Sequence, residues 1–233
     1  EKTDEKTILP IIELGKKLGI DTPHTIELYD NSNIQGAYAV AGMVVYKDGV
    51  PSKKDYRKYK IKTVEGPDDY ASMKEVIYRR YYRLLMEQKE MADLIIVDGG
   101  LGQIKVAKEV IDSLNLSVHI CGLSKDDKHS TAMLLDENGN QVPIDTKSPL
   151  FFLLTRMQDE VHRYAISFHR QVRSKSLFSS ILDEVDGIGE ARKKKLLNHF
   201  KSVKKMKEAT LEELEAVIPK NTALKLYEVL HKD

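Results

Sequence analysis

Short apolar runs bounded by turn residues alternate with amphipathic stretches along most of this chain. Such runs predict β-strands, whereas apolar positions that recur every three or four residues predict helices. We therefore expect strands over residues 25–29, 37–46, 56–63, 94–97 and 118–123, and a small hairpin that joins 132–135 to 141–144. Helices are expected over residues 8–18, from the Gly66-Pro67-Asp68-Asp69 start to about residue 90, over 103–114, and onwards from Ser148-Pro149.

The order of these elements predicts the fold class. The Asp48-Gly49 pair favours a tight turn, so the second and third strands should form a hairpin. Three antiparallel strands, then helix, strand, helix and strand, predict an α/β protein: a mixed sheet flanked by helices, in the order of a ribonuclease-H-like core. After about residue 174 only short helices are predicted. We expect a ribonuclease-H-like domain over residues 1–174, with a lead-in over 1–23, followed by a small all-α domain over 180–233.

Composition narrows the class of protein. With 41% hydrophobic and 31% charged residues among 233, the chain has the balance of a globular protein rather than a disordered one. No apolar run is long enough to span a bilayer, so no membrane partner is expected. Cys121 is the single cysteine, which excludes a disulfide framework and a zinc knuckle and favours a reducing, cytoplasmic setting. The net charge of +1 argues neither for nor against nucleic-acid binding. The distribution of charge is more informative, because basic residues cluster over 53–62 and 192–195.

Two aspartates each end an apolar, strand-like run. Asp30 ends residues 26–30 and Asp98 ends residues 94–98. Ligands of open α/β folds bind at the carboxyl ends of strands, and two carboxylates brought together there repel unless a divalent cation lies between them. We interpret the pair as a metal site. Two alternatives stay open: Asp30 could form an Asx-turn, and the glycines after Asp98 could cradle a phosphate, although the G-x-G-x-x-G spacing of dinucleotide folds is missing.

A histidine on the predicted long helix completes a candidate metal site. The core stripe of this helix is expected to consist of Leu153, Met157, Val161, Tyr164 and Phe168, and Arg156, Arg163 and Arg170 form a cationic ridge nearly opposite. His162 and His169 fall between them. We expect a functional role for His162, whereas His169 is expected to be structural or solvent-facing. Oxygen ligands and one imidazole suit Mn²⁺ or Mg²⁺, and imidazole also moves protons near neutral pH.

The tail contains a nucleic-acid-binding signature. Residues 181–197 read as a helix, a turn made by Gly187, Ile188 and Gly189, and a second helix with Arg192 and Lys193 near its start. This helix-hairpin-helix pattern exposes backbone N–H groups that bind a phosphate without reading bases. A second unit follows, with a capping box over 210–213 and a turn over 218–221 that contains Lys220. That turn lacks both glycines, so a packing role is an alternative to DNA contact.

Taken together, these segments resemble the C-terminal half of the UvrC family, the incision subunit of the bacterial nucleotide-excision-repair nuclease. The resemblance runs from about residue 25 to the end of the chain. It rests on Ile26-Glu27-x-x-Asp30-x-Ser32-x-x-Gln35-Gly36, on Ile96-Val97-Asp98-Gly99-Gly100-x-Gly102-Gln103, and on Asp159-Glu160-x-His162-Arg163-x-Ala165.

The resemblance implies particular roles for these residues. Asp30, Asp98 and His162 would be the catalytic triad of a metal-dependent endonuclease that cuts on the 5′ side of a DNA lesion. Lys125 would be a phosphate neighbour, and Arg163 a supporting cation. Asn33 departs from the histidine that many relatives have, which leaves a metal or proton role at that position in doubt.

The resemblance also implies partners. These are double-stranded DNA with a lesion, bubble or junction and, through the full-length protein, a UvrB-type helicase subunit. The nuclease domain expected for the 3′ cut is not in this sequence, so we expect the chain to be insufficient for dual incision. The competing hypothesis is a non-catalytic DNA-binding adaptor with a degenerate nuclease fold; a dinucleotide enzyme is a distant third.

Overall fold

The computed structural model describes residues 2–32, 39–125 and 132–232, except for the side chains of residues 168, 169 and 171–173. The chain forms two compact units, Glu1–His169 and Arg170–Asp233. No helix in these ranges is both long enough and apolar enough to cross a membrane.

The first unit is built around a mixed sheet. Its strands are β1 (Thr25–Ser32), β2 (Val40–Lys47), β3 (Val50–Pro51), β4 (Arg57–Lys60), β5 (Leu94–Asp98), β6 (His119–Lys125), β7 (Ala132–Leu135) and β8 (Gln141–Val142). Across the described residues the strand order is β3-β2-β1-β5-β6-β7-β8, with β4 also paired to β2. The central strands β1, β5 and β6 run parallel to one another, whereas β2 on one side and β7 on the other are antiparallel to their neighbours.

Helices cover both faces of this sheet. They are α1 (Ile8–Leu18), α2 (Asp69–Met86), α3 (Leu101–Ser113) and α4 (Pro149–Asp183), with short 3₁₀ turns at Asp4–Lys6 and Lys53–Asp55. Apolar side chains of α2 and α3 pack on one face in a core that includes Tyr29 and Val97. Those of α1 and α4 pack on the other face, around Leu28 and Ile96. The mixed sheet with flanking helices confirms the predicted fold class.

Several predicted boundaries are wrong by a few residues. The Asp48-Gly49 turn forms, but it leads into the two-residue β3, and β4 then pairs separately with the first half of β2. The helix that begins after Asp68 ends at Met86 rather than near residue 90, and Gln88 beyond it takes a left-handed φ of 52°. Residues 37 and 38, predicted to begin a strand, lie outside the described residues.

The second unit is all-helical, as predicted. Its helices α5 (Glu190–Phe200), α6 (Val203–Glu208), α7 (Leu211–Glu215) and α8 (Lys220–Leu230) share a core with the last turns of α4, where Phe178 and Leu182 are buried. Residues 175–179, which lie between the two predicted domains, are helical. The domain boundaries drawn from the sequence stay a prediction.

Candidate active site

Strand pairing brings the two aspartates to neighbouring positions. β1 and β5 are parallel, with Tyr29 opposite Val97, so Asp30 and Asp98 follow at the same level of the sheet. Side chains alternate between the faces of a strand. Leu28 and Ile96 both pack under α4, and the aspartates two residues later therefore face the same helix. Asp30 lies within β1, opposite Gly42, and its carboxylate bonds to His162. Asp30 thus lies inside a strand rather than in a turn.

The helix α4 presents His162 to these carboxylates. His162 Nδ1 lies 3.0 Å from Asp30 Oδ2, and the side chains are 60% and 8% exposed, respectively. Potential ligand atoms of Asp30, Asp98 and His162 all lie within 4.8 Å of one another. The close approach of α4 depends on Gly42, because a Cβ there would lie 3.1 Å from backbone atoms of Ala165. The three residues predicted as a triad are therefore brought together.

The surroundings of Asp30 disfavour its charge. Burial raises the pKa of the Asp30 carboxyl, and the negative charge of Asp98 raises it further, to about 7, although the hydrogen bond and charge of His162 act in the opposite direction. Two adjacent carboxylates with one imidazole are a donor set that suits a divalent cation, whose charge would offset this repulsion. The residues present therefore fit a divalent metal ion.

Gln158 is a contact of the site that the sequence reasoning missed. Its amide donates a hydrogen bond of 3.1 Å to Asp98 Oδ1 from a position 5% exposed, one helical turn before His162. Consecutive turns of α4 thus hold the two carboxylates. The four-residue spacing from His162 places Gln158 on the same side of the helix. The spacing alone does not show that Gln158 contacts Asp98 at the end of β5.

Two other predicted site residues, Lys125 and Arg163, form no ion pair with the triad in the described part of the chain. Lys125 ends β6 two residues after Leu123, which packs on the α4 side, so the alternation places Lys125 on the same face as Asp98. Arg163 pairs with Glu160 at 2.7 Å. Asn33 lies outside the described residues, as does the side chain of His169.

A lysine of the basic segment lies on the triad's face of the sheet. Lys58 pairs in register with Gly42, which in turn pairs with Asp30. Its ammonium lies 5.0 Å from the centre of the Tyr164 ring on α4, a cation–π contact. This places one cation of the 53–62 cluster two strands from Asp30, which the clustering alone did not predict.

In the second unit, the Gly187-Ile188-Gly189 turn leads into α5. Gly187 takes a φ of 92°, where a side chain would be strained, and Gly189 is the N-cap of α5 without a side-chain cap. The first N–H groups of α5 are therefore free of a capping side chain. A Cβ at Gly187 would lie 3.3 Å from the Thr222 hydroxyl, so the first turn packs against α8, which begins at Lys220.

The cations near this turn differ in their availability. Arg192 donates to the Gly187 carbonyl, and Lys193 bonds to Asp183 and Glu190, so both are engaged locally. Lys194 and Lys195 are exposed, and neither forms an ion pair within the described ranges. The lysines most open to an anion are therefore the two after Lys193 in the predicted run.

Known families match both units. Residues 15–166 match the family described as the UvrC RNAse H endonuclease domain, and residues 179–232 match a SAM-like helix-hairpin-helix tandem. Fold and site thus define a nuclease-fold, DNA-binding class of protein. The chain belongs to the UvrC RNase H endonuclease domain family, as its resemblance had indicated.

Solved structures similar to parts of the chain share little sequence with it. Endonuclease V of Ciona intestinalis, in complex with a 24mer DNA containing an inosine followed by a ribo-adenosine, is 17% identical with a TM-score of 0.34, over 49% of this chain and 54% of that chain. Human ENDOV is 14% identical with a TM-score of 0.32, over 51% and 61%. Marinitoga piezophila Argonaute, in complex with 5′ OH guide RNA, is 9% identical with a TM-score of 0.30, over 44% and 16%. The chain thus spans about half of the Ciona enzyme.

Proposed function

We propose that this chain is a divalent-metal-dependent DNA endonuclease in which Asp30, Asp98 and His162 hold the ion. The observation that carries the proposal is the convergence of these three side chains, with ligand atoms within 4.8 Å of one another. The raised pKa of the buried Asp30 carboxyl beside Asp98 supports it, since such a pair is best matched by a cation. The fold of the family to which residues 15–166 belong supports it as well.

The residues divide the chemistry between them. A bound Mn²⁺ or Mg²⁺ would supply Lewis-acid stabilisation of the phosphate and a more acidic water. Asp30 and Asp98 provide oxygen ligands from neighbouring strands, and Gln158 orients Asp98. His162, whose Nδ1 contacts Asp30, keeps its second ring nitrogen for a ligand or a proton in an imidazole that is 60% exposed. Lys58 and Lys125, which lie on this face in the described part of the chain, would neutralise a phosphodiester.

The second unit would hold the DNA backbone. The uncapped start of α5, the glycine turn before it and the exposed Lys194 and Lys195 present N–H groups and positive charge. These groups contact phosphates and not base edges, so binding should be independent of sequence and should weaken as salt rises. Lys220 at the start of α8 would add a contact from the second hairpin.

Family membership suggests the biological role. We place the chain in nucleotide excision repair, where it would hydrolyse a phosphodiester on the 5′ side of a lesion in double-stranded DNA that carries a bubble or junction. A UvrB-type helicase subunit would bring the full-length protein to that site in the cytoplasm. The support for these assignments is the match of residues 15–166 to the UvrC RNase H endonuclease domain.

A nicking assay tests the proposal. End-labelled bubble DNA is incubated with Mn²⁺ and with wild-type chain, Asp30→Asn or Asp98→Asn, and binding to the same DNA is measured in parallel. The exposed Asp112 on α3 offers a matched control, Asp112→Asn. We expect both site variants to lose at least about 100-fold in nicking, as when a ligand needed for transition-state stabilisation is removed, while binding and the Asp112→Asn activity stay near wild type.

The same assay separates the two hypotheses. Wild-type chain that binds bubble DNA but nicks it no faster than Asp98→Asn would identify a binding adaptor. Full nicking activity of Asp30→Asn would show that Asp30 is not part of the active site.

A further inference from the structure

Exposed tyrosines follow the outer face of α2. Tyr70, Tyr78 and Tyr82 are 56%, 45% and 45% exposed. Positions 70, 74, 78 and 82 are each four residues apart, so each side chain is next to the following one in a row that winds partway around the helix, and Lys74 fills the gap between the first two tyrosines. We call Tyr70, Lys74, Tyr78 and Tyr82 the α2 tyrosine face.

Two of these rings already stack. The ring centres of Tyr78 and Tyr82 are 5.6 Å apart and their planes differ by 19°, so they form a parallel pair with accessible surface. From position 70 to position 82 the helix rises about 18 Å, at roughly 1.5 Å per residue. That length corresponds to about five nucleotides of a stacked strand at roughly 3.4 Å each.

Positive charge borders the α2 tyrosine face. A groove of about 830 Å³ runs beside Tyr78, and its lining includes Lys62, Lys74 and Arg79. Glu75 in the same groove is only 7% exposed and accepts hydrogen bonds from Lys62 N, from Thr63 and from Arg79, so its charge is offset locally. Glu109 on α3 is the other acid of the lining. With Arg79 paired to Glu75, the two lysines Lys62 and Lys74 remain against the single acid Glu109 in the described lining.

The face begins beside the candidate active site. A Cβ at Gly102 would lie 2.6 Å from the Tyr70 ring, so Tyr70 packs directly over Gly102, four residues after Asp98. The Asn31 side chain, next to Asp30, donates to the Asp69 carbonyl at the start of α2. The start of α2 thus lies near the ends of the two strands that carry the triad aspartates, on the face of the sheet opposite α4.

We propose that the α2 tyrosine face is a stacking surface for single-stranded DNA that extends away from the cleavage site. Aromatic rings interleaved with cations are the usual way in which proteins hold unpaired strands, because every base has a π-face and every nucleotide a phosphate. A protein partner would use the rings but would not need the neighbouring Lys62, Lys74 and Arg79. The inference deepens the proposed function, on which it rests for its choice of DNA, by assigning a surface for the unpaired strand of a bubble.

Binding measurements in EDTA test this inference, so that its outcome does not depend on cleavage. The full chain is titrated against a fluorescent single-stranded dT₂₀ and a duplex of equal length. The variants are Tyr78→Leu/Tyr82→Leu, which removes the rings, and Tyr78→Phe/Tyr82→Phe, which keeps them. Phe152→Leu is the matched control, since Phe152 is 50% exposed on α4, which packs on the other face of the sheet. All substituted positions are exposed, so every variant should fold.

We expect the leucine variant to bind dT₂₀ roughly 10-fold or more weakly, because it loses the two rings on which bases would stack. Its duplex affinity, and both affinities of the phenylalanine variant and of Phe152→Leu, should stay within about twofold of wild type. Wild-type dT₂₀ affinity in the leucine variant would overturn the inference, as would an equal loss for duplex. A change in oligomeric state with unchanged DNA affinity would assign the face to a second copy of the chain instead.

Discussion

The Gln158 amide donates to the Asp98 carboxylate at 3.1 Å, one turn of α4 before His162 contacts Asp30. One helix therefore orients both carboxylates of the candidate site, through an amide that is almost fully buried and an imidazole that is largely exposed. Residues that orient metal ligands in this way commonly change metal affinity when they are removed.

Gln158→Leu should weaken Mn²⁺ binding by about 10- to 100-fold, because Asp98 loses the donor that fixes its orientation. Calorimetric titration of Mn²⁺ measures this affinity directly, and in the nicking assay kcat should change by a larger factor than KM. The exposed Gln141 supplies the control, Gln141→Leu, which should bind Mn²⁺ normally. Wild-type Mn²⁺ affinity in Gln158→Leu would show that the hydrogen bond has only a structural role.

Gly42→Ala should reduce nicking by at least about 10-fold while the free energy of unfolding falls by only about 1–3 kcal/mol. The added Cβ would press on the Ala165 backbone at 3.1 Å, so α4 must move away from β2 and carry His162 away from Asp30. Overpacking typically lowers the free energy of unfolding by this amount, and small displacements of catalytic groups lower the reaction rate many-fold. Urea unfolding and the nicking assay give the two numbers; unchanged nicking would contradict the dependence on close packing.

Glu27→Gln should destabilise the fold by about 3–5 kcal/mol. The Glu27 carboxylate is 3% exposed and accepts hydrogen bonds from Tyr29, Tyr81 and Arg80, whose guanidinium would be left without its partner. Urea unfolding measures the loss, with the exposed Glu90→Gln as the control. The double variant Glu27→Gln/Arg80→Met should lose less free energy of unfolding than the sum of the two single variants. Strictly additive losses would show that the two side chains do not stabilise each other.

Lys194→Gln/Lys195→Gln should weaken duplex binding and lower the salt dependence. Each phosphate contact contributes roughly 0.9 to the magnitude of the slope of log K against log salt. If both lysines contact phosphates, that magnitude should therefore fall by about 1.8. Fluorescence anisotropy at several salt concentrations gives the slope. Lys16→Gln/Lys147→Gln removes two exposed lysines of the first unit as a charge-matched control. An equal change in slope for both pairs would mean that net charge alone governs binding.

Much of the fold follows from local signals in the sequence. Asp98 could be predicted at a strand end because the apolar run before it is short. A helix start could be predicted at Gly66-Pro67-Asp68-Asp69, and Asp68 caps that helix by accepting from Ala71 N. The glycine turn before α5 was equally local. Boundaries were less accurate, since the helix after Asp68 stops at Met86 although polar residues compatible with a helix continue beyond it.

Contacts between distant segments could not be predicted in this way. Gln158 meets a carboxylate 60 positions earlier, and Lys58 reaches the triad's face only through the pairing of three strands. The engagement of Lys193 by Asp183 depends on how two helices pack, whereas the sequence shows only a run of four basic residues. Residue types and strand-end positions predicted Asp30, Asp98 and His162 as a metal site, and the family resemblance then named them as a triad, but the distances between them could not be predicted.

The central claim is that one divalent ion binds between Asp30, Asp98 and His162. Anomalous diffraction from crystals of the chain soaked in MnCl₂ tests it most directly. We predict an anomalous peak within coordination distance of both carboxylates and the imidazole, which disappears in Asp98→Asn. A wild-type crystal that shows manganese elsewhere, or none at these three side chains, would contradict the account.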